Sequence, residues 1–306
     1  MLEIVFATLA VFLLIFVGTL LARSSWLGPP FWREAEKLIY FVLFPALLVS
    51  STASANLSGL TLLPMAGALV GTQLLATLAL LLIRRPLGLD GPAFTSLYQG
   101  VIRMNTYLAF GVAFATAGQA GVEAASVAVA IFIPVANLLC VTILVRYGKS
   151  EPGGSALWRT LKAVVTNPLI LSILLGLALN VSGLGLPPVI GPMLETLGRA
   201  AIALGLLAVG AGLDLRAARG SGGIVLLATV LKLAAMPALA FGLSRLLGLD
   251  GAALLAVVTL NAMPTSAASY ILARQLGGDA TLMASIVTVE TAVSMASLPL
   301  VLGLLA

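Results

Sequence analysis

The chain has 306 residues, of which 60% are hydrophobic and only 9% are charged, and its mean hydropathy is +1.15. A soluble domain carries about 25% charged residues, so this composition excludes an ordinary globular enzyme. The chain contains no histidine and a single cysteine, Cys140. These counts exclude histidine metal sites, Ser-His-Asp triads, thiolate metal cages and an intramolecular disulfide. We therefore predict a polytopic membrane protein that uses neither a metal nor another cofactor.

Continuous apolar runs between polar or Pro/Gly breaks predict ten transmembrane helices, because one crossing of a bilayer takes about 20 apolar residues. Glu3 and Arg23 flank the first run, which is typical of a membrane helix rather than of a cleaved signal peptide. The predicted helices lie near residues 2–22, 36–52, 60–83, 93–117, 122–146, 161–181, 194–213, 223–247, 251–273 and 281–305.

Basic residues indicate the orientation of these helices. Only Arg245 lies in an even-numbered loop, whereas the odd-numbered loops hold Arg23, Arg33, Lys37, Arg84, Arg85, Arg146, Lys149, Arg159, Lys162, Arg216, Arg219 and Arg274. The positive-inside rule therefore predicts both termini outside the cytosol and the loop at 147–160 inside it. We expect a multi-pass protein of the cell (inner) membrane. The net charge of +5 comes from separate short loops without a basic stripe, so we expect no nucleic-acid partner.

An internal repeat divides the chain. The sequence Leu87–Gly91 recurs unchanged 160 residues later as Leu247–Gly251. Five helices in each copy would place the second copy inverted in the membrane. We therefore expect a first five-helix repeat at 1–148, a cytosolic connecting loop at 149–160 and an inverted second repeat at 161–306. Inverted repeats are typical of transporters, although channels and enzymes also contain them.

The fourth and ninth predicted helices carry polar clusters at matching depths, because Asn105 and Thr265 are also 160 residues apart. Pro264 has no N–H and interrupts the ninth helix, which frees N–H groups that attract anions and carbonyls that attract cations. Alternatively, Pro264 only kinks its helix and the hydroxyls bond to neighbouring helices. The candidate substrate-binding residues are Arg103, Asn105, Thr106, Tyr107, Asn261, Pro264, Thr265 and Ser266.

Three ionisable residues, Arg103, Lys232 and Glu290, lie deep within predicted spans. A charge at the centre of a membrane helix costs about 2.5–3.5 kcal/mol, so each needs a purpose. One interpretation is structural, with a buried Lys232–Glu290 pair and with Arg103 bonded to helix carbonyls. The other makes Arg103 an attractant for an anion and Glu290 or Lys232 the proton-coupling group. Asn137 either binds the coupling ion or bonds to another helix.

These segments resemble the auxin efflux carrier family of membrane transporters. The likeness is strongest in the last two spans and extends to the fourth helix. It rests on Asn261–Pro264, Leu272–Ala273, Gly277–Ala280, Ser285–Val287 and Ser297–Leu300, together with Arg103–Tyr107.

The resemblance implies a fold shared with bile-acid sodium symporters, in which the fourth and ninth helices are broken and cross at the midplane. Helices one, two, six and seven, at about 2–52 and 161–213, would form a scaffold that often supports a homodimer. Helices three to five and eight to ten, at about 60–146 and 223–305, would form a moving transport domain. Family members move organic anions such as auxin or malate, so Asn105 and the peptide groups around Pro264 would hold the substrate carboxylate.

Two departures from the family pattern affect these expectations. Plant carriers have a proline just before the matching asparagine, whereas this chain has Met104, which predicts a less sharply broken fourth helix. No acidic residue lies between Gly251 and Ala273, where the sodium symporters have an ion ligand, which argues against sodium coupling.

We therefore expect a secondary active transporter that exports a small organic anion across the lipid bilayer by an elevator-type mechanism. The alternatives are a sodium-coupled anion symporter on the same fold and a membrane sensor that binds its ligand without moving it. An intramembrane enzyme is disfavoured, because the spans contain no histidine, catalytic cysteine motif or close carboxylate pair.

Overall fold

The computed structural model describes residues 2–24, 26–54, 62–149, 166, 168–213 and 222–305. All regular secondary structure in these ranges is helical. The helices are α1 (Leu2–Arg23), α2 (Pro29–Ala53), α3 (Leu62–Leu87), α4 (Gly91–Ile102), α5 (Thr106–Tyr147), α6 (Pro168–Val181), α7 (Ile190–Ala211), α8 (Gly222–Leu246), α9 (Gly251–Ala262), α10 (Ala268–Leu276) and α11 (Ala280–Leu305).

Six helical stretches within these ranges are long and apolar enough to cross a membrane, which confirms a helical, multi-pass membrane protein. They are Pro29–Ala53, Leu62–Leu87, Gly91–Tyr147, Ile190–Ala211, Gly222–Leu246 and Ala280–Leu305. Ten were predicted. The number is smaller because Gly91–Tyr147 is a single stretch of 57 residues and because Thr8–Arg23, Pro168–Val181 and Gly251–Ala262 are apolar but shorter.

Three predicted helices differ from the observed ones. The second begins at Pro29 rather than near residue 36, since a proline in the first turn needs no intrahelical N–H bond. The fourth is divided into α4 and the first part of α5, which kinks at Gly118 (φ 57°). The ninth is divided into α9 and α10.

Several predictions fall on parts of the chain outside the described residues. They are the connecting loop at 149–160 after Lys149, the first residues of the sixth helix near 161, and the basic residues Arg159, Lys162, Arg216 and Arg219.

The described helices belong to two compact units. Unit 1 comprises 1–60, 107–130 and 164–212. In it α1 packs on α7, and α2 packs on both α6 and α7. Glycines permit this close approach: any side chain at Gly210 would overlap the carbonyl oxygen of Ile15. Thr19 Oγ1 in α1 also donates to the Gly210 carbonyl at 2.9 Å.

Unit 2 comprises 61–106, 131–163 and 213–306. In it α8 packs on α3 and α9, while α11 packs on α4, α8, α9 and α10. The α8 helix widens into a π-helical turn at Leu231–Ala235, just before Pro237. Because a proline ring clashes with the carbonyl four residues earlier, the wider turn accommodates it.

The two copies of the repeated motif share a left-handed glycine and a position at the start of a helix. Gly88 and Gly248 have φ of 61° and 73°, a left-handed conformation that favours glycine over other residues. Each is followed by an aspartate at the N-cap of the next helix. Asp90 Oδ1 accepts a hydrogen bond of 2.8 Å from the Ala93 N–H, whereas the Asp250 side chain makes no capping bond. The motif therefore precedes α4 and α9 at the same position, with a capping bond only at α4.

Candidate functional site

Two helix breaks meet inside unit 2. The first spans Arg103–Asn105, between α4 and α5, and the second begins at Met263, after α9. Arg103 (φ −78°, ψ 160°) and Met263 (φ −67°, ψ 140°) are both extended. The Asn105 N–H donates to the Pro264 carbonyl at 2.7 Å, so the two breaks are joined main chain to main chain.

The two breaks have different local causes. A residue before proline is restricted to extended conformations, so Pro264 forces Met263 out of the helix. The first break contains no proline, since Met104 occupies the middle position. Its backbone is instead satisfied by the other break, which accepts the Asn105 N–H. The fourth helix is therefore fully interrupted despite lacking the proline of the plant carriers.

The backbone that the second break frees is capped by side chains of other helices. The Thr265 N–H, just before α10, donates to Glu290 Oε2 in α11 at 2.8 Å. Thr265 Oγ1 lies 3.3 Å from the Gln99 carbonyl, to which it donates, and 3.2 Å from Ser269 Oγ. Ser266 Oγ accepts a hydrogen bond of 3.1 Å from the Ala268 N–H. The break before α10 thus presents the Thr265 N–H, and Glu290 accepts it.

Arg103 lies at the C-terminal end of α4, where the helix dipole favours a cation. Its Nη1 donates to Asn137 Oδ1 in α5 at 2.9 Å, and its guanidinium also lies against the Cys140 sulfur, one helical turn further along α5. Both Arg103 and Asn137 are half-buried. Asn137 therefore orients the Arg103 guanidinium. Arg103 thus bonds to a side chain, whereas the structural interpretation of the sequence had it bond to helix carbonyls.

Lys232 lies in the π-helical turn of α8 and is fully buried. Its Nζ has no hydrogen-bond partner among the described residues, and Glu290 is not within the 4 Å of a direct ion pair. The two opposite charges still attract each other through the interior. The direct Lys232–Glu290 pair considered from the sequence is therefore absent from this structure.

The predicted residues differ in whether they lie at the joined breaks. Arg103, Asn105, Pro264 and Thr265 line the joined breaks in unit 2, with Asn137, Lys232 and Glu290 around them. Asn261 and Ser266 are engaged locally: Asn261 Nδ2 donates to the Val257 carbonyl at 2.9 Å, one turn back along α9, and Ser266 caps α10 as described. Thr106 is half-buried at the start of α5.

Tyr107 falls in unit 1 rather than in unit 2. Its ring packs on Phe44, with centroids 4.7 Å apart, and lies against Gly205 of α7. An aromatic contact within unit 1 therefore accounts for this residue.

Gln99 was not predicted. It is fully buried one turn before Arg103, and neither atom of its side-chain amide has a hydrogen-bond partner among the described residues. Its carbonyl accepts both the Arg103 N–H, at 3.0 Å, and the Thr265 hydroxyl. An amide in the middle of an apolar span was a usable signal, because such a group is costly in a membrane and needs partners.

The electrostatics of this region favour an anion. Arg103 and Lys232 bring two positive charges towards the breaks and Glu290 one negative charge. Within the part of the chain that the structure describes, no three His, Cys, Asp or Glu side chains are grouped to hold a metal ion. Apolar spanning helices, interrupted backbone and buried charges together define a multi-pass membrane protein with a polar interior.

Comparison with known proteins identifies the family. Residues 154–302 match the family model described as membrane transport protein. Over 296 residues the chain is 31% identical to an uncharacterized transporter of Methanothermobacter thermautotrophicus, and the match covers 95% of each chain. The chain belongs to the membrane transport protein family and is a membrane transporter. This membership argues against the intramembrane enzyme.

Proposed function

We propose that the protein is a secondary active transporter that exports a small organic anion, such as a carboxylate or an auxin-like acid. The observation that carries this proposal is the 2.7 Å bond from the Asn105 N–H to the Pro264 carbonyl, which brings two interrupted helices together inside unit 2. Within a membrane, interrupted backbone is tolerated where it is buried in protein or lines a cavity. In transporters such breaks hold the substrate.

The charge of the site supports an anionic substrate. The break before α10 presents the Thr265 N–H, and Arg103 supplies a guanidinium held by Asn137. A guanidinium and helix N–H groups match the two oxygens of a carboxylate. Asn105 follows Arg103 by two residues and is 3% exposed. Its side-chain amide would add a hydrogen-bond donor to the substrate.

The proposed movement is elevator-type alternating access, with helices three to five and eight to ten moving against helices one, two, six and seven. The division of the chain supports this assignment, because α1, α2, α6 and α7 belong to unit 1, whereas α3, α4 and α8–α11 belong to unit 2. The α5 helix contributes to both units, with 107–130 in unit 1 and 131–147 in unit 2.

The finer assignments extend the family resemblance and the distribution of basic residues in the sequence. We place the protein in the auxin efflux carrier branch, in the inner membrane, with both termini outside the cytosol and a homodimer formed through the scaffold helices. The inverted relation of the two repeats is part of the same proposal. It is supported by the matching starts of α4 and α9 and by breaks that begin 160 residues apart, at Arg103 and Met263.

The test is flux of labelled malate, benzoate and indole-3-acetate into proteoliposomes. We expect flux of at least one probe, its loss in Asn105→Ala, and no change when choline replaces sodium. Asn180→Ala is the matched control, because Asn180 Nδ2 donates to the Ala53 carbonyl at 3.0 Å within unit 1. Full flux by Asn105→Ala would refute the site. Dependence on sodium would indicate the symporter, and binding without flux the sensor.

A further inference from the structure

Glu290 is a buried acidic side chain that already accepts the N–H presented by the break before α10. Its Oε2 accepts the Thr265 N–H at 2.8 Å, and the residue is fully buried. This N–H belongs to the break that precedes α10, a helix of nine residues. Glu290 therefore lies where the proposed substrate carboxylate would bind, and one N–H cannot be donated fully to both.

The other carboxylate oxygen is unsatisfied. Glu290 Oε1 has no hydrogen-bond donor among the described residues. It faces Gly100 in α4, where a side-chain Cβ would lie 3.4 Å from it. The side-chain amide of the neighbouring Gln99 and the Lys232 ammonium are buried and unpartnered in the same described set. A buried carboxylate with one free oxygen beside unused donors is not a completed structural cap.

The helices near Glu290 carry several other titratable or charged side chains. Lys232 lies on α8 and Arg103 at the end of α4, while Tyr98 of α4 bonds to Thr77 at 2.7 Å. The α5 helix contributes Cys140, which interacts with Arg103 and Lys232. The helix of Glu290 itself, α11, has no other titratable side chain, and α9 has none. The α10 helix has Tyr270 and Arg274, which contact each other.

We propose that Glu290 is the protein's own occupant of the anion site and that the substrate carboxylate displaces it as Glu290 takes up a proton. The carrier then moves one proton with each monovalent anion, so export proceeds where the outward gradient of the anion exceeds the inward gradient of protons. This inference rests on the proposed function, since it concerns the same site. It goes beyond that function by naming the proton as the coupling ion and Glu290 as the group that carries it.

The charges balance in this exchange. A proton from a buffer acid in solution, whose conjugate base stays in solution, forms an O–H bond on the Glu290 carboxylate, which becomes a neutral acid and gives up the Thr265 N–H. The substrate carboxylate accepts that N–H and restores the negative charge that interacts with Lys232. The net charge of the buried cluster is the same before and after, which avoids the cost of adding an unbalanced charge to the membrane interior.

The test uses purified full-length protein and benzoate, malate and indole-3-acetate as probes. Titration calorimetry in two buffers of different ionisation enthalpy measures the protons taken up per anion bound. For monovalent probes, which stay ionised above about pH 6, we expect uptake that approaches one proton once the pH is high enough to ionise Glu290 in the unliganded protein. We also expect the affinity for the anion to fall by up to about tenfold for each unit by which the pH rises.

Glu290→Gln keeps an oxygen that can accept the Thr265 N–H but cannot lose a proton. We expect it to bind the same probe without proton uptake and without dependence on pH. Glu195→Gln, an exposed position on α7, is the matched control and should behave as the wild type.

Each outcome decides the matter. Wild-type binding without proton uptake would overturn this inference and leave the anion carrier in place. Retention of proton uptake by a folded Glu290→Gln protein would do the same. Failure of all three probes to bind the wild type at any pH would overturn the proposed function, and this inference with it. If Glu290→Gln does not fold, the wild-type proton count alone still decides.

Discussion

The bond between Arg103 and Asn137 offers a direct test of how the positive charge at the site is held. Asn137→Leu keeps a side chain of similar size and removes the oxygen that accepts Arg103 Nη1 at 2.9 Å. A hydrogen bond to a charged group contributes about 1.5–3 kcal/mol, and about 1.4 kcal/mol corresponds to tenfold in affinity. Because both side chains are half-buried, we expect the lower end of this range. The affinity for a carboxylate should fall about tenfold.

The assay is titration calorimetry of benzoate, malate or indole-3-acetate, whichever binds the wild type. Thr142→Val is the matched control on the same helix, since it removes an exposed bond of 2.7 Å from the Thr142 hydroxyl to the Leu138 carbonyl. The control should bind as the wild type. If Asn137→Leu also binds with unchanged affinity, the orientation of Arg103 does not matter for anion binding, and its proposed role is wrong.

Two further predictions concern packing and orientation. Gly210→Val should destabilise unit 1 by on the order of 1–3 kcal/mol, because its side chain would meet the Ile15 carbonyl. Gly242→Ala, with nothing within 4 Å, should be tolerated, so equal thermal unfolding midpoints for the two variants would contradict the close approach of α1 and α7. A cysteine at Lys149 should react with an impermeant maleimide only from the cytosol and one at Leu184 only from outside, while buried Cys140 stays unlabelled. The reverse pattern would overturn the orientation.

Part of the site could be predicted from the sequence because its causes are local. Pro264 dictates an extended Met263, and the repeated Leu-Gly-Leu-Asp-Gly motif places Asn105 and Thr265 at matching distances from a helix start. These two facts were enough to expect interrupted helices at the same depth. The helical class and the membrane location follow from composition alone.

The remainder depends on tertiary contacts that no local pattern encodes. Glu290 caps Thr265 across 25 residues of chain, and its polarity suggested a proton carrier or a lysine pair rather than a helix cap. Tyr107 directly follows the polar cluster, yet its ring belongs to the aromatic packing of unit 1. Nothing in the sequence around Gln99 indicates that its backbone carbonyl accepts the Thr265 hydroxyl.

The bond that joins the two breaks runs from one main chain to another, between the Asn105 N–H and the Pro264 carbonyl. Exchange of either side chain leaves both partners of this bond in place, except that proline at position 105 would delete the donor. Most exchanges at position 105 therefore leave this junction in place, whereas an exchange of Pro264 would keep the carbonyl and remove the constraint on Met263. Side chains near this bond can therefore change without breaking it. Related proteins with the same junction could bind different substrates.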